Sequence, residues 1–288
     1  MKYEKWTVAL AALGVVSLAS AARAEEKATT SVTALTPTTI GGYVDTSAHW
    51  NLGTGNANPA PYKFNSSSKA DGFNLDVVQV TLEKALDEHP WSAGYHVDLW
   101  AGPDAAALGT TLRGTGTSDF AIRQAYVALN TPIGNGLDWK VGVFDSIIGY
   151  ESLEGPKNPN YTRSYGHSME PQTHTGVKAT YRFGEALSVS AGVADTMGPQ
   201  INDRYPGAES YKTYMASVLL TAPKSMGFLA DSTLFGGFVN GFNANTVHTA
   251  PGNTYANGSI QTSFFVGTTL ATPVKNLKFG ASFDYVNV

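Results

Sequence analysis

Apolar and polar side chains alternate along this chain with a period of two, from residue 39 to its end. The closing stretch NLKFGASFDYVNV shows the pattern. Leu277, Phe279, Ala281, Phe283 and Tyr285 fall on one face, and Lys278, Gly280, Ser282 and Asp284 on the other. Successive side chains of a strand point to opposite faces, so this is a β-strand with two unlike sides. The same alternation marks about eleven segments, at 40–50, 73–84, 91–100, 120–130, 137–147, 172–183, 186–196, 210–221, 228–240, 261–272 and 276–287. Each runs to about 10–13 residues. Strands of soluble sheets average about 5–6, whereas a tilted strand that crosses a bilayer needs about 9–11. Strand length therefore points to a membrane.

The two faces differ in kind. In 91–100, Trp91, Ala93, Tyr95, Val97 and Leu99 oppose Ser92, Gly94, His96, Asp98 and Trp100. In 186–196, Leu187, Val189, Ala191 and Val193 oppose Ser188, Ser190, Gly192 and Ala194. One side is apolar; the other is glycine, hydroxyl and charge. A sandwich core would collect more Ile, Leu and Val. Segment 120–130 is less regular, because Arg123 shares parity with Ala125, Val127 and Leu129. A place at the rim, or a β-bulge that resets the register, would reconcile it.

The connections alternate too. Long ones at 51–70, 101–119, 148–171, 197–209 and 241–260 take turns with the short LDEHP, TPIGNG, GE, APKSMG and TPVKN. Outer-membrane barrels have short periplasmic turns and long outer loops, and a soluble Greek-key sandwich has no reason to alternate so regularly. The predicted fold is all-β: a transmembrane antiparallel up-and-down β-barrel. With the N-terminus on the periplasmic side, the eleventh strand ends at the outer surface. Single-chain barrels close with an even strand count, and an edge in lipid would leave backbone groups unpaired at several kcal/mol each. The expectation is that the chain is truncated and that at least one strand follows Val288. The alternative is a miscounted strand.

The first residues break the pattern. MKYEKWTVALAALGVVSLASAARAEE carries Lys2 and Lys5, a compact apolar run over 8–18, and Ala22-Arg23-Ala24 before Glu25. This predicts a signal peptide over 1–24, the run being too short for a membrane-spanning helix. Residues 25–39 read as a flexible leader and 40–288 as the barrel, exported to the bacterial outer membrane. Without Lys2, Lys5, Arg23 and Glu4 the chain holds 16 basic and 22 acidic residues, a formal charge of −6. No basic stripe appears, which argues against nucleic acid as a partner. The absence of cysteine excludes disulfides, thiol catalysis, cysteine-ligated zinc and a lipidated N-terminal cysteine. A mean hydropathy of −0.13 is too low for a helical membrane protein but not for a barrel with one wet face.

Parity places Asp76, His96, Asp98, Lys140, His174, Lys178, Arg182, Ser190 and Asp231 on the wet face, as candidate pore-lining residues. Charge on such a wall would set selectivity. The longest connection, IGYESLEGPKNPNYTRSYGHSMEP, holds Glu151, Glu154, Arg163 and His167 as candidates for a constriction, should it fold inward. A loop packed on the surface is equally compatible. Tyr43, Trp50, Trp91, Trp100, Trp139, Tyr150, Tyr181 and Phe183 sit at strand ends, as interfacial aromatic girdles would. The six histidines lack the spacing of a metal site. No metal, cofactor or catalytic residue is expected.

Several segments together carry a resemblance: GGYVDTSAHWNLGTGNANPAPYKF, KADGFNLDVVQVTLEKALDE, AGYHVDLWAGPDA, FAIRQAYVALNTPIGNGLDWKVGVFDSIIGYES, TRSYGHSMEPQTHTGVKATYRFGE and GAESYKTYMASV. The set is similar to the putative beta-barrel porin-2, OmpL-like family, over roughly residues 40–288. The resemblance implies an outer-membrane barrel with porin activity and supplies no catalytic residues. The chain departs from it in stopping without a C-terminal strand that ends in an aromatic residue. The leading expectation is a passive channel for small hydrophilic solutes, with outer-membrane lipid as partner and self-association left open. The alternatives are a non-conducting structural or adhesive barrel and, behind it, an outer-membrane hydrolase. The last would need a Ser–His pair, for which Ser168 beside His167 is the nearest match.

Overall fold

The computed structural model describes residues 38–50, 72–87, 89–111, 118–195, 197–204, 210–242, 260–274 and 276–288. The expected signal peptide, and the leader up to residue 37, lie outside these residues.

Eleven strands form one antiparallel sheet in chain order. They are β1 (Thr39–His49), β2 (Gly72–Lys84), β3 (Ala93–Ala101), β4 (Phe120–Thr131), β5 (Leu137–Asp145), β6 (Thr173–Arg182), β7 (Leu187–Ala194), β8 (Thr213–Thr221), β9 (Thr233–Phe242), β10 (Ile260–Ala271) and β11 (Lys278–Asn287). Each pairs with its neighbours in sequence, and β1 and β11 are the two ends of the sheet. This is the up-and-down meander that the alternating connections predict.

The start of β9 is a correction. The expected strand began at residue 228, but 224–229 coil as a 3-10 helix and the strand starts at Thr233. Phe228 and Leu229 imitate strand alternation. However, Gly227 at φ 61° and Asp231 at φ 63° cannot belong to an extended chain. Two short helices also lie in connections read as plain loops: α1 (Pro103–Leu108) and α2 (Tyr165–Met169). Their sequences carry the signals. α1 opens on Pro103 and closes on Gly109 at φ 66°, and Ser164 caps α2 by accepting from the His167 backbone N–H.

The sheet is strongly curled. Laid flat, β2 and β10 would stand about 38 Å apart, eight steps of about 4.8 Å. Both touch the same compact β5–β6 loop. Tyr161 Oη lies 3.4 Å from Asp76 Oδ2 of β2, and Tyr150 Oη 2.9 Å from Thr269 Oγ1 of β10. Phe144, Met215, Val239 and Phe265, from β5, β8, β9 and β10, meet Ile147 and Ile148 of that loop in one buried cluster. The concave side is therefore an interior.

The convex side is apolar and bare. Val127 is 60% exposed, Val141 55%, Val266 53% and Phe283 67%. In water such a belt would be a large unsatisfied apolar patch; in lipid it is the expected surface. A groove of about 540 Å³ on this side, at the short-turn end, is lined by Trp91, Val127, Leu129, Ile133, Trp139 and Val141.

Two β-bulges interrupt the alternation. On β2 the pairing steps from Asp45↔Val77 to Thr46↔Leu75, leaving Asp76 as the extra residue. On β4 it steps from Asp98↔Gln124 to Leu99↔Ile122, leaving Arg123. A bulge turns two successive side chains to one face. Asp76 with Val77, and Arg123 with Gln124, are accordingly all buried on the concave side. The bulge reading of the irregular fourth segment is the one the structure takes.

Candidate functional site

The interior is built from the inward residues of the strands and from residues 146–172, the β5–β6 loop. The loop turns in because its first residues are apolar: Ile147 and Ile148 join the cluster against β8–β10. Leu153 joins a second cluster of Val77, Trp100, Ala105, Leu108 and Ala121. Its own polar groups tie it into a compact unit. Glu151 accepts from the Ser164 N–H (2.9 Å) and hydroxyl, Asn158 Nδ2 donates to the carbonyls of Ser152 and Glu154 (2.8 and 2.7 Å), and Arg163 Nε donates to the Ser152 carbonyl (3.2 Å).

Arg123 is the electrostatic centre. Fully buried, it donates to Asp98 Oδ2 (2.8 Å), Asp145 Oδ1 (2.7 Å) and Glu154 Oε1 of the loop. Lys157 Nζ supplies Glu154 with a second cation at 2.8 Å. Asp98 is shared more widely. Its Oδ1 accepts from Thr81 Oγ1 (2.6 Å) and Gln79 Nε2 (3.3 Å), its Oδ2 from Gln124 Nε2 (3.0 Å), and His96 Nε2 lies 2.9 Å away. Trp100 closes the network, giving its indole N–H to Gln79 Oε1 (2.6 Å) with the Arg123 guanidinium 5.8 Å from its ring. Burying charges is tolerable only with this degree of pairing.

On the opposite wall the loop meets β11. Gly166 packs so closely on Asp284, and Gly280 on the Tyr150 hydroxyl, that a Cβ at either glycine would overlap its neighbour. Glu170 faces Asp284 and shares a hydrogen bond with it. Burial first, and the Asp284 carboxylate second, push Glu170 up to about 8. The loop thus docks on β2 and β4 through charge and on β10 and β11 through a carboxyl pair and a tyrosine.

The candidate residues fall into three groups. Asp76, Asp98, His96, Glu154, His167 and His174 come together in the long-loop half, Asp76 bonded to Ser47 Oγ (3.2 Å) and His174 Nε2 3.2 Å from Ser146 Oγ. Lys140, Lys178 and Ser190 stand on the inner wall of β5–β7, away from the loop's ion pairs. The remainder lie elsewhere. Asp231 sits outside the strands, exposed in the β8–β9 turn and paired to Lys224 at 2.7 Å, so its placement on the strand wall is corrected. Arg182 ends β6, exposed, and binds Asp138 at 2.5 Å. Glu151 and Arg163 do not oppose each other across the interior; they brace the loop's own backbone. Across the interior, the partner that the wall gives Glu154 is Arg123.

Three expected girdle aromatics also move inside. Trp100 and Tyr43 belong to the second apolar cluster, and Tyr150 reaches β10. Inward parity already marked Trp100. Ser168 and His167 lie on α2 with His167 buried and Ser168 exposed, so they do not form a Ser–His pair.

Sequence reasoning missed Arg123, Asp145, Glu170, Tyr150 and Asp284 as site residues. Arg123 did leave a signal, in its broken parity. Asp145 had none, because it ends β5 on the outward parity and reaches Arg123 only where the chain turns in. Glu170 and Asp284 are 114 positions apart, and nothing local joins them.

An all-antiparallel meander with a bare apolar outside, buried charges and hydroxyls inside and a loop folded within belongs to the up-and-down β-barrels of membranes. The chain belongs to the putative beta-barrel porin-2, OmpL-like family, whose model matches residues 37–288. Neither a curated protein nor a solved structure matches it.

Proposed function

We propose that the protein is an outer-membrane porin, a passive channel for small hydrophilic solutes. The observation that carries this reading is the opposition of faces. An apolar convex side suits acyl chains, and the concave wall of β5–β8 is lined by Lys140, Lys178, Thr180, Ser190 and Ser217, which suit water. The β5–β6 loop, held by Arg123, acts as the constriction. Asp98, His96, Glu154 and His167 belong to the narrowed half, and Lys140, Lys178 and Ser190 line the wider one.

A second reading has an observation of its own. Phe144, Ile147, Ile148, Met215, Val239 and Phe265 fill much of the long-loop half with apolar side chains, as a non-conducting barrel would. Planar-bilayer recording of the purified protein decides between them. A porin gives stepwise ohmic currents. A folded, inserted protein that gives none would leave only the structural or adhesive reading.

A further inference from the structure

We propose that Lys140 and Lys178 form a binding site for a doubly charged oxyanion: inorganic phosphate or a phosphate monoester. The site deepens the porin reading, on which it depends for how the ligand arrives.

β5 and β6 set the two lysines directly opposite each other in register. Like charges so placed repel and weaken the sheet. The carboxylates of the surrounding strands are engaged elsewhere. Asp98 and Asp145 bind Arg123, Asp138 binds Arg182, and Glu83 lies 3.5 Å from His96. Among the described residues neither lysine has a carboxylate within ion-pair distance. Yet both ammonium groups are positioned. Lys140 Nζ donates to Tyr126 Oη at 2.8 Å and stands 4.1 Å over its ring, while Lys178 Nζ is 5.1 Å from the Phe144 ring centroid. An aromatic face steadies a cation without neutralising it.

The register also keeps the immediate neighbours of the pair small. The inward row through the pair reads Gly94, Ala128, Lys140, Lys178, Gly192 and then Met215, whose side chain packs over Gly192. Ala128 beside Lys140 and Gly192 beside Lys178 put no second long side chain directly against either ammonium stem. The next row towards the short turns brings Thr180 and Ser190, their hydroxyl oxygens 2.8 Å apart. Two positioned cations and a neighbouring hydroxyl pair suit one ligand group with two charges and several acceptor oxygens. A phosphate carries about −1.5 to −2 at pH 7; a simple carboxylate would leave one ammonium uncompensated.

The test is single-channel chloride current of the full protein with added inorganic phosphate, glycerol phosphate or acetate. Lys140→Gln, Lys178→Gln and the double variant are compared with Lys224→Gln, which removes the same charge from the β8–β9 turn. Phosphate should block saturably and acetate weakly. Each lumen substitution should raise the half-blocking concentration about tenfold, the loss expected for one charge-assisted contact, while Lys224→Gln leaves it unchanged. Block by inorganic phosphate alone assigns the free ion, and block by both assigns the shared phosphate group. Normal current without block, or block that survives in the double variant, overturns the site and leaves the porin reading intact. Should the protein carry no current, equilibrium dialysis of labelled phosphate against protein in nanodiscs is decisive. Lysine-dependent binding keeps the site while the porin reading falls, and its absence removes both.

Discussion

Arg123 shows how one inserted residue organises an interior. Strict alternation would aim it at lipid. The bulge opposite Asp98 and Leu99 turns it inward beside Gln124, so both reach the Asp98 carboxylate. Truncation to Ala would leave Asp98, Asp145 and Glu154 without their shared cation. We expect Arg123→Ala to lower unfolding free energy in detergent by about 3–5 kcal/mol, the range for breaking a buried ion pair. Arg123→Lys should recover only part of this, since an ammonium cannot fork to three carboxylates. A neutral outcome in urea titration would show that the interior is wet enough to solvate all three. The neighbours Val189 and Ser190 test the faces themselves. Val189 lies on the outward side, opposite Tyr181 and Val218, whereas Ser190 bonds Thr180 inside. Val189→Arg should cost about 2–4 kcal/mol near the midplane. Ser190→Arg should cost far less and shift reversal potentials towards anion preference. Equal unfolding by both, with conductance untouched, would refute the face assignment.

At the scale of the element, the β5–β6 loop is a strut with two unlike ends. Its Arg123 end holds by ion pairs to Glu154 of the loop and to Asp98 and Asp145 of the wall. Its β11 end holds by a proton. Glu170 is surrounded by Asp284 of β11, Glu151 of the loop, His167 Nδ1 at 3.8 Å and the Tyr150 backbone N–H. Docked, it keeps its proton up to about 8; free in water it loses it near 4.5. Because the docked state binds the extra proton, docking is strongest below about 4.5 and weakens as pH rises through about 8. Conductance, or its open-state noise, should therefore rise over that interval. Glu170→Gln, neutral throughout, should flatten the profile. A profile unchanged in Glu170→Gln would assign any pH response to other groups.

At the scale of the molecule, the apolar belt and the aromatic residues at its margin decide where the protein can reside. Trp91 and Trp139 border the outer groove, and the Trp139 indole N–H reaches Thr131 Oγ1 at 3.0 Å, a polar tip above an apolar body. Trp100 is inside. In vesicles of acyl-brominated lipid, quenching should fall in Trp91→Phe and Trp139→Phe and persist in Trp100→Phe. Quenching lost chiefly with Trp100 would mean that the sheet is curled the other way. Fractionated cells should hold the protein in the outer membrane; a mainly soluble periplasmic pool would contradict the lipid-facing belt.

The period-two pattern by itself determined the strands, their order and which face is dry. Side-chain direction in a strand follows directly from position, and the long–short rhythm of the connections leaves a meander as the natural path. Even the bulge at Arg123 was legible as a fault in the pattern. The pattern failed at 228–232, where positive-φ residues end an apparent alternation, and at Trp100, Tyr43 and Tyr150, where a strand-end aromatic can serve lipid or core equally well. What only the tertiary structure decided is the interior. Whether the β5–β6 loop folds inward depends on apolar contacts among β5, β8, β9 and β10, which are distant in sequence. The pairing of Arg123 with Glu154, that of Glu170 with Asp284, and the absence, among the described residues, of a carboxylate within ion-pair distance of Lys140 and Lys178 exist only once the sheet has curled. Charge compensation is a property of distances across the curled interior, and no local period encodes those distances.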